Sequence, residues 1–492
     1  MIVIAGSGFV GIRLAAQLHR AGHSVATLTR GQDSAAALAA AHPWPVFACD
    51  ITEPAAVGAL ATRLSTPVSV IIHCASSGRG GAQAYQSVFV DGMRHLLQAF
   101  PHAFPIFTSS TSVYAQTDGS TVTEQSPTEP DRDTGRLLLT AEKIALDAGG
   151  AALRLAGLYG PSRYHVLLSL LTGRAAIEDP PDQHGSPGRI LNQIHAADAA
   201  HALFTLALQR QPGLFNAADD HPRSQEEGLN ELADLFSQPP PGHRPADPTR
   251  KRGWTSKAVS NTRLRSLGWC PCYPDPVTAL RRDPALAASI LDQANATTDH
   301  PPPLRAPNIL LIGLMGSGKT TVGRIIAQKL GWDFVDTDAL LVSQAQGRSI
   351  PDIFASEGES GFRDRESATL LSLLGTRNTV IATGGGIILR PENRSLLHHL
   401  GFIIWLEADP ARLAYRTSFN QDRPLLHTDD PLAKLTLLLD QRGPLYRSLA
   451  DLRIKTEDLN PEESAYGATE SARVFFMQQI RHRAAWQPPT SP

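Results

Sequence analysis

At 492 residues, 42% apolar and 19% charged, the chain has ordinary globular composition and length for two or three hydrophobic cores. Its 45 Lys and Arg nearly balance 47 Asp and Glu, so a net charge of −2 gives no electrostatic ground for a nucleic-acid partner. No apolar run approaches the roughly 20 residues that span a bilayer. The four cysteines (Cys49, Cys74, Cys270 and Cys272) are too few for a zinc or disulfide framework. These features predict a soluble, cytoplasmic protein without a membrane partner, and they leave the oligomeric state open.

In chain order, the apolar start Met1-Ile-Val-Ile-Ala runs straight into Gly6 without basic residues, which reads as a first strand rather than a signal peptide. Candidate strands follow at 1–5, 24–29, 45–49, 68–73, 104–108 and 151–155, with helical stretches between them. That alternation predicts a doubly wound parallel sheet with helices on both faces, the Rossmann type of α/β fold. Between the first strand and the helix Ile12–Ala21 lies Gly6-Ser7-Gly8-Phe-Val-Gly11. A Gly-rich turn there sets a pyrophosphate on a helix N-terminus. The second strand ends at Arg30, where an acidic residue would favour NAD. An arginine suits a 2′-phosphate, so the expected cofactor is NADP(H). Asp50, at the next strand end, is placed either to bond the adenine or to cap the following helix.

Further on stand Phe107-Thr-Ser-Ser110-Thr-Ser-Val-Tyr114, Leu153-Arg-Leu-Ala-Gly-Leu-Tyr159-Gly-Pro, Asn192-Gln-Ile-His195-Ala-Ala-Asp198 and Phe215-Asn-Ala-Ala-Asp. Over roughly residues 1–285 these pieces resemble the extended short-chain dehydrogenase/reductases, the epimerase/dehydratase-like group. The resemblance implies a Ser, a Tyr and a Lys acting together. Ser110 matches the serine and Lys143 is the candidate lysine, but Leu139 stands where the tyrosine is expected. Leucine transfers no proton, and general acid–base catalysis contributes about 10²–10⁴-fold. Two readings follow for this half. It is a cofactor-binding or structural module of an atypical branch, or an NADP-dependent oxidoreductase using another acid, with Ser110 or Tyr114 as candidates.

Proline and polar residues thicken over 291–307, which include Pro301-Pro-Pro303. This reads as a stiff extended connector between a domain of 1–290 and a second of 308–485. The second opens with a strand over Asn308–Ile312, then Gly313-Leu-Met-Gly316-Ser317-Gly318-Lys319-Thr320, then a helix over Thr321–Leu330. Glycines let successive N–H groups face nucleotide phosphates, Lys319 reaches the outer phosphates, and the Thr320 hydroxyl suits Mg²⁺. This half is therefore expected to bind ATP. Trp332–Asp336 reads as a short strand ending at the ligand crevice, with Asp336 set for the Mg²⁺ shell. Asp338, two residues on and on the same strand face, is set for an acceptor hydroxyl.

Ser349-Ile-Pro-Asp opens a helix, and Gly361-Phe-Arg363-Asp-Arg-Glu366 opens the next, with Arg363 and Glu366 sharing a face. Gly384-Gly385-Gly386 follows a strand, Asp409-Pro caps a helix ending near Arg416, and a polar loop over 418–430 contains Arg423-Pro-Leu-Leu. Gln441-Arg442-Gly-Pro-Leu-Tyr446 comes last. From about Asn308 beyond Ile454 the set is similar to shikimate kinase, a P-loop fold of the nucleoside-monophosphate-kinase type with a lid. The resemblance implies that Asp338, Arg363, Gly385, Gly386 and Arg442 hold shikimate, with both arginines on its carboxylate. It implies that Asp338 takes the 3-hydroxyl proton and that Arg423, in the lid, sits over the transferring phosphate. Arg416 would pack on adenine, and Gly316, Ser317, Gly318, Lys319, Thr320 and Thr321 would cradle the phosphates. A related small-metabolite kinase, such as gluconate kinase, is the alternative.

Overall fold

The computed structural model describes every residue except 79, 131, 182–187, 248–253, 298, 419–429, 458 and 486–492. The chain packs as two compact units. The first comprises Met1–Arg163, Ile177–Gly228 and His243–Ala279; the second comprises Tyr164–Ala176, Leu229–Gly242 and the chain from Leu280 onward.

The first unit is built on seven parallel strands: β1 (Ile2–Ala5), β2 (Val25–Thr29), β3 (Val46–Ala48), β4 (Val70–His73), β5 (Phe104–Ser110), β6 (Ala151–Leu155) and β7 (Gly213–Ala217). They stand side by side in the order β7-β6-β5-β4-β1-β2-β3, every pairing parallel. β1 and β4 are buried along their whole length, as strands covered by helices on both faces must be, which is why β1 reads as an unbroken apolar run and β4 as one closed by the buried His73. The chain reverses its direction of travel across the sheet between β1 and β4. The C-terminal ends of those strands therefore open a crevice, and the Gly6–Gly11 turn lies there. This is a Rossmann-type doubly wound sheet.

The second unit holds five parallel strands: β8 (Ile309–Ile312), β9 (Asp333–Asp336), β10 (Thr379–Ala382), β11 (Phe402–Glu407) and β12 (Leu452–Lys455), in the order β9-β10-β8-β11-β12. β8 is central and fully buried. It delivers the chain into the Gly-rich loop and then the helix Lys319–Leu330, which Gly331 closes in a left-handed conformation at φ +66°. The helical element Ile350–Ser372 breaks its helical backbone at Gly358 (φ +70°), so the segment carrying Arg363 and Glu366 is a separate helix after the kink.

The boundary between the units is not the Pro-rich stretch alone. The helix Pro284–Ala296 runs into residues 291–296, which sequence assigns to the connector, and it belongs to the second unit. Beyond it, Arg305 is held by two bonds to Asp451 (2.9 and 2.6 Å), and its N–H donates to Gln479 (2.8 Å). This part of the connector is a pinned strap of the second unit rather than a spacer. Composition marks where proline accumulates but carries no information on what those residues pack against.

Candidate active site

The P-loop needs its glycines for space as well as for backbone freedom. A Cβ on Gly313 would fall 2.5 Å from the Leu406 carbonyl oxygen, and one on Gly316 2.9 Å from Thr417. Gly316 (φ +80°) and Gly318 (φ +94°) both occupy left-handed backbone. Inside the curl, Lys319 Nζ donates to the carbonyls of Gly313 and Leu314, each at 2.9 Å. The buried Ser317 hydroxyl has no partner among the described residues. On the rim, Arg416 donates to Gly316 O (3.4 Å) and to Thr456 Oγ1 and O (3.3 and 3.2 Å), which sets its guanidinium beside the loop. Thr321 is exposed in the first turn of the helix.

Thr320 Oγ1 donates to Asp336 Oδ2 at 2.9 Å. Asp336 is the last residue of β9, and its other oxygen caps the next helix, Thr337–Gln344, accepting from the N–H groups of Asp338 (3.0 Å) and Ala339 (3.4 Å). The two aspartates therefore do not share a strand face. Asp338 lies in the first helical turn, because the short strand stops at the cap instead of running through it.

Its carboxylate still reaches the site. A Cβ on Gly384 would come 2.7 Å from Asp338 Oδ1 and 3.1 Å from Glu366 Oε1, and one on Gly386 would come 2.1 Å from Arg363 Nη1. A side chain on either glycine would have to displace these charged groups. Arg363 and Glu366 form a buried pair at 2.5 Å, unlike the exposed pair that such spacing usually gives, and Glu359 adds a second carboxylate at 3.2 Å. Burial opposes the charge on Arg363, but the neighbouring carboxylates of Glu366 and Glu359 outweigh it and its pKa is raised. Burial likewise pushes the Glu366 carboxyl up, with Asp338 adding to it and Arg363 and Arg442 pulling it down. Arg442 Nη1 donates to Gly385 O at 3.1 Å from the helix Pro431–Leu449. One cluster thus gathers Asp338, Arg363, the glycine run and Arg442 beside a P-loop. Arg423 lies outside the described residues. Sequence reading missed Thr337, whose buried hydroxyl accepts the Gly384 N–H at 3.0 Å; its place between two site aspartates was the available signal.

In the first unit the three glycines have different work. A Cβ on Gly6 (φ +117°) would strike the backbone at Ala75 at 2.5 Å, and one on Gly11 would lie 2.0 Å from Gly6 O. Nothing lies within 4 Å of a Cβ on Gly8, so its backbone faces open space. Ser7 ties the turn to β2 by donating to Leu28 O at 2.9 Å. Arg30 and Asp50 face each other at 3.4 Å, and Asp50 also accepts from the Thr52 N–H and hydroxyl (3.0 and 2.8 Å).

The acid–base candidates fare differently. Ser110 caps a short turn, accepting from Ser112 N at 3.2 Å. Lys143 does not join it: its side chain is 75% exposed and pairs with Asp147 at 2.9 Å. The helix Asp133–Asp147 turns Leu138, Ala141, Glu142 and Ala145 inward, a face that excludes residue 143. Glu142 there takes a bidentate bond from Arg154 (2.9 and 2.7 Å) and a 2.5 Å bond from Ser109. Tyr114 is fully buried, donates to Asn216 at 2.9 Å and has its pKa raised by burial, so it is a core tyrosine. Leu139 packs against the core.

A Rossmann-type sheet and a P-loop unit define the chain as a two-part α/β protein. Residues 315–473 match the family model for shikimate kinase, and residues 1–218 match that of the NAD dependent epimerase/dehydratase family. Shikimate kinase of Burkholderia thailandensis is 52% identical over 149 residues, 30% of this chain and 80% of that protein. That of a Marinomonas species is 47% identical over 179 residues, 36% of this chain and 98% of that protein. The chain belongs, through this half, to the shikimate kinase family. Among solved structures, shikimate kinase from Acinetobacter baumannii in complex with shikimate is 38% identical and covers 36% of this chain and 95% of its own, with a TM-score of 0.32. A Methylobacillus flagellatus protein assigned as an NAD-dependent epimerase/dehydratase is 27% identical, covering 59% and 98%, with a TM-score of 0.45. No helix among the described residues is long and apolar enough to cross a membrane.

Proposed function

We propose that the second unit transfers the γ-phosphoryl group of ATP to the 3-hydroxyl of shikimate, yielding shikimate 3-phosphate and ADP on the route to aromatic amino acids. The observation that carries this is the meeting of Asp338, Arg363 and the Gly384–Gly386 run, where a side chain on either outer glycine would collide with one of the charged groups. An acceptor seated there has Asp338 on its hydroxyl, to orient it and take its proton as the phosphorus–oxygen bond forms. Arg363 and Arg442 pair with its carboxylate, for which a guanidinium fork is suited. Phosphoryl transfer needs in-line positioning and neutralisation of phosphate charge. Lys319 leaves the carbonyls of Gly313 and Leu314 for the outer phosphates, the P-loop N–H groups and Ser317 bind the others, and Arg416 packs on the adenine. Arg423 is assigned to the transferring phosphate by family resemblance.

Thr320 and Asp336, already hydrogen-bonded to each other, are the residues that would hold a hydrated Mg²⁺. Such a site needs no larger carboxylate set, and no cluster of three or more His, Cys, Asp or Glu side chains suited to a metal occurs among the described residues. When bound, that ion offsets charge on the β- and γ-phosphates.

The first unit is best read as an NADP(H)-binding module without the family's proton relay, located with the kinase in the cytoplasm. Gly8 leaves room for a pyrophosphate at the N-terminus of the helix Gly11–Arg20, and Arg30 stands at the end of β2 for a 2′-phosphate. A solvent-facing Lys143 and a core Tyr114 weigh against the oxidoreductase alternative.

The acceptor is tested by following ADP release from the full chain with ATP and Mg²⁺. Turnover is expected with shikimate and not with gluconate; the reverse preference would refute the assignment.

A further inference from the structure

Within Arg442-Gly-Pro-Leu-Tyr446 the proposed reaction uses Arg442 and leaves Tyr446 unused. The two lie four apart on the helix Pro431–Leu449, share a face and converge on one atom. The Tyr446 hydroxyl donates to Gly385 O at 2.6 Å, and Arg442 Nη1 donates to the same oxygen at 3.1 Å. Tyr446 is fully buried and its ring stacks on Trp405, centroids 5.7 Å apart and planes 27° from parallel. On the other side of the run, Thr337 holds the Gly384 N–H. The outer glycines of the run lie against Asp338 and Arg363.

We propose that Tyr446 is a positioning residue, holding the Gly385 carbonyl so that Arg442 is released from it to pair with the acceptor's carboxylate. This rests on the shikimate kinase reading. A carbonyl offers two lone pairs, and this half-buried one accepts from both Tyr446 and Arg442. With Tyr446 in place, Arg442 leaves and the carbonyl stays satisfied. Without its hydroxyl, Arg442 Nη1 stays on Gly385 O, and only the remaining N–H groups of the guanidinium are left for the incoming carboxylate. Burial pushes the Tyr446 hydroxyl up to about 12, so it remains a protonated donor at neutral pH.

The test is Tyr446→Phe in the full chain, which keeps the ring against Trp405. KM for shikimate should rise about fivefold to thirtyfold, the scale of one weakened hydrogen bond to a charged group. KM for ATP and kcat should stay within about twofold. The methyl ester of shikimate carries no anion to draw Arg442 away, so its KM should change less than about twofold. An unchanged KM for shikimate overturns the proposal, as does an equal rise for shikimate, its ester and ATP, which would mark general damage to the fold. A wild-type chain inactive with shikimate would instead overturn the kinase reading and this proposal with it, so the two failures are distinguishable.

Discussion

At the residue scale, single glycines decide what each Gly-rich turn can do. Gly11 and Gly8 belong to one motif, yet a Cβ has 2.0 Å at the first and open space at the second. Gly8→Ala is therefore expected to fold normally and to weaken NADPH binding about tenfold or more, because the added methyl occupies the path of a pyrophosphate. Gly11→Ala is expected to unfold or strongly destabilise the first unit. Nicotinamide fluorescence during NADPH titration reads the first effect and thermal unfolding the second. Undiminished NADPH affinity in Gly8→Ala would remove the cofactor from that turn. The motif itself was legible in the sequence. What it could not give is which glycine faces open space and which faces protein, because that depends on the chain just after β4, Cys74–Ala75, passing behind Gly6.

At the element scale, the helix Asp133–Asp147 shows what periodicity delivers and where it fails. Sequence locates the helix and counts four residues back from Lys143 to Leu139, but counting does not fix which face meets the sheet. The apolar positions Leu138, Ala141 and Ala145 carry that signal, and they place Glu142 inward and Lys143 outward. Both carboxylate and guanidinium of the Glu142–Arg154 pair are 4% exposed. Glu142→Ala would leave a buried charge unpaired and should cost about 3–5 kcal/mol. Lys143→Ala, losing a solvent-exposed pair, should change stability by less than about 0.5 kcal/mol. Denaturant unfolding of the two variants separates these values, and equal losses would show that the inward face is misassigned. The strand ending at Asp336 fails in the opposite way. A period-two reading carried one face through to Asp338, while the Asp336 cap had already turned the chain into a helix.

At the scale of the whole molecule, both sheets were legible as alternating apolar runs and helices, since parallel strands buried on both faces announce themselves. The compact units were not. The segments 164–176 and 229–242 belong with the second unit through packing that no composition shift records. Within that unit, the ring of His399 lies 5.2 Å from that of Phe236. Burial, with the positive charges of His398 and Arg305 adding to it, holds the His399 pKa down at about 3. That lies below the unfolded value near 6.5. The unfolded chain therefore takes up a proton first, and stability from this group, complete above about pH 6.5, is lost as pH falls toward 3. The melting temperature should drop between pH 7 and 5, with a shallower slope in His399→Leu. A melting temperature independent of pH over that range would contradict the burial of the His399 ring.

The central claim is that Asp338 receives the acceptor proton at a shikimate site beside the P-loop. The most direct measurement is Asp338→Asn in the full chain, with shikimate-dependent ADP release and ATP binding followed together. Loss of at least about a hundredfold in turnover, with ATP affinity retained, is the predicted result. Unchanged turnover would contradict the assignment of Asp338 and, with it, the site as described.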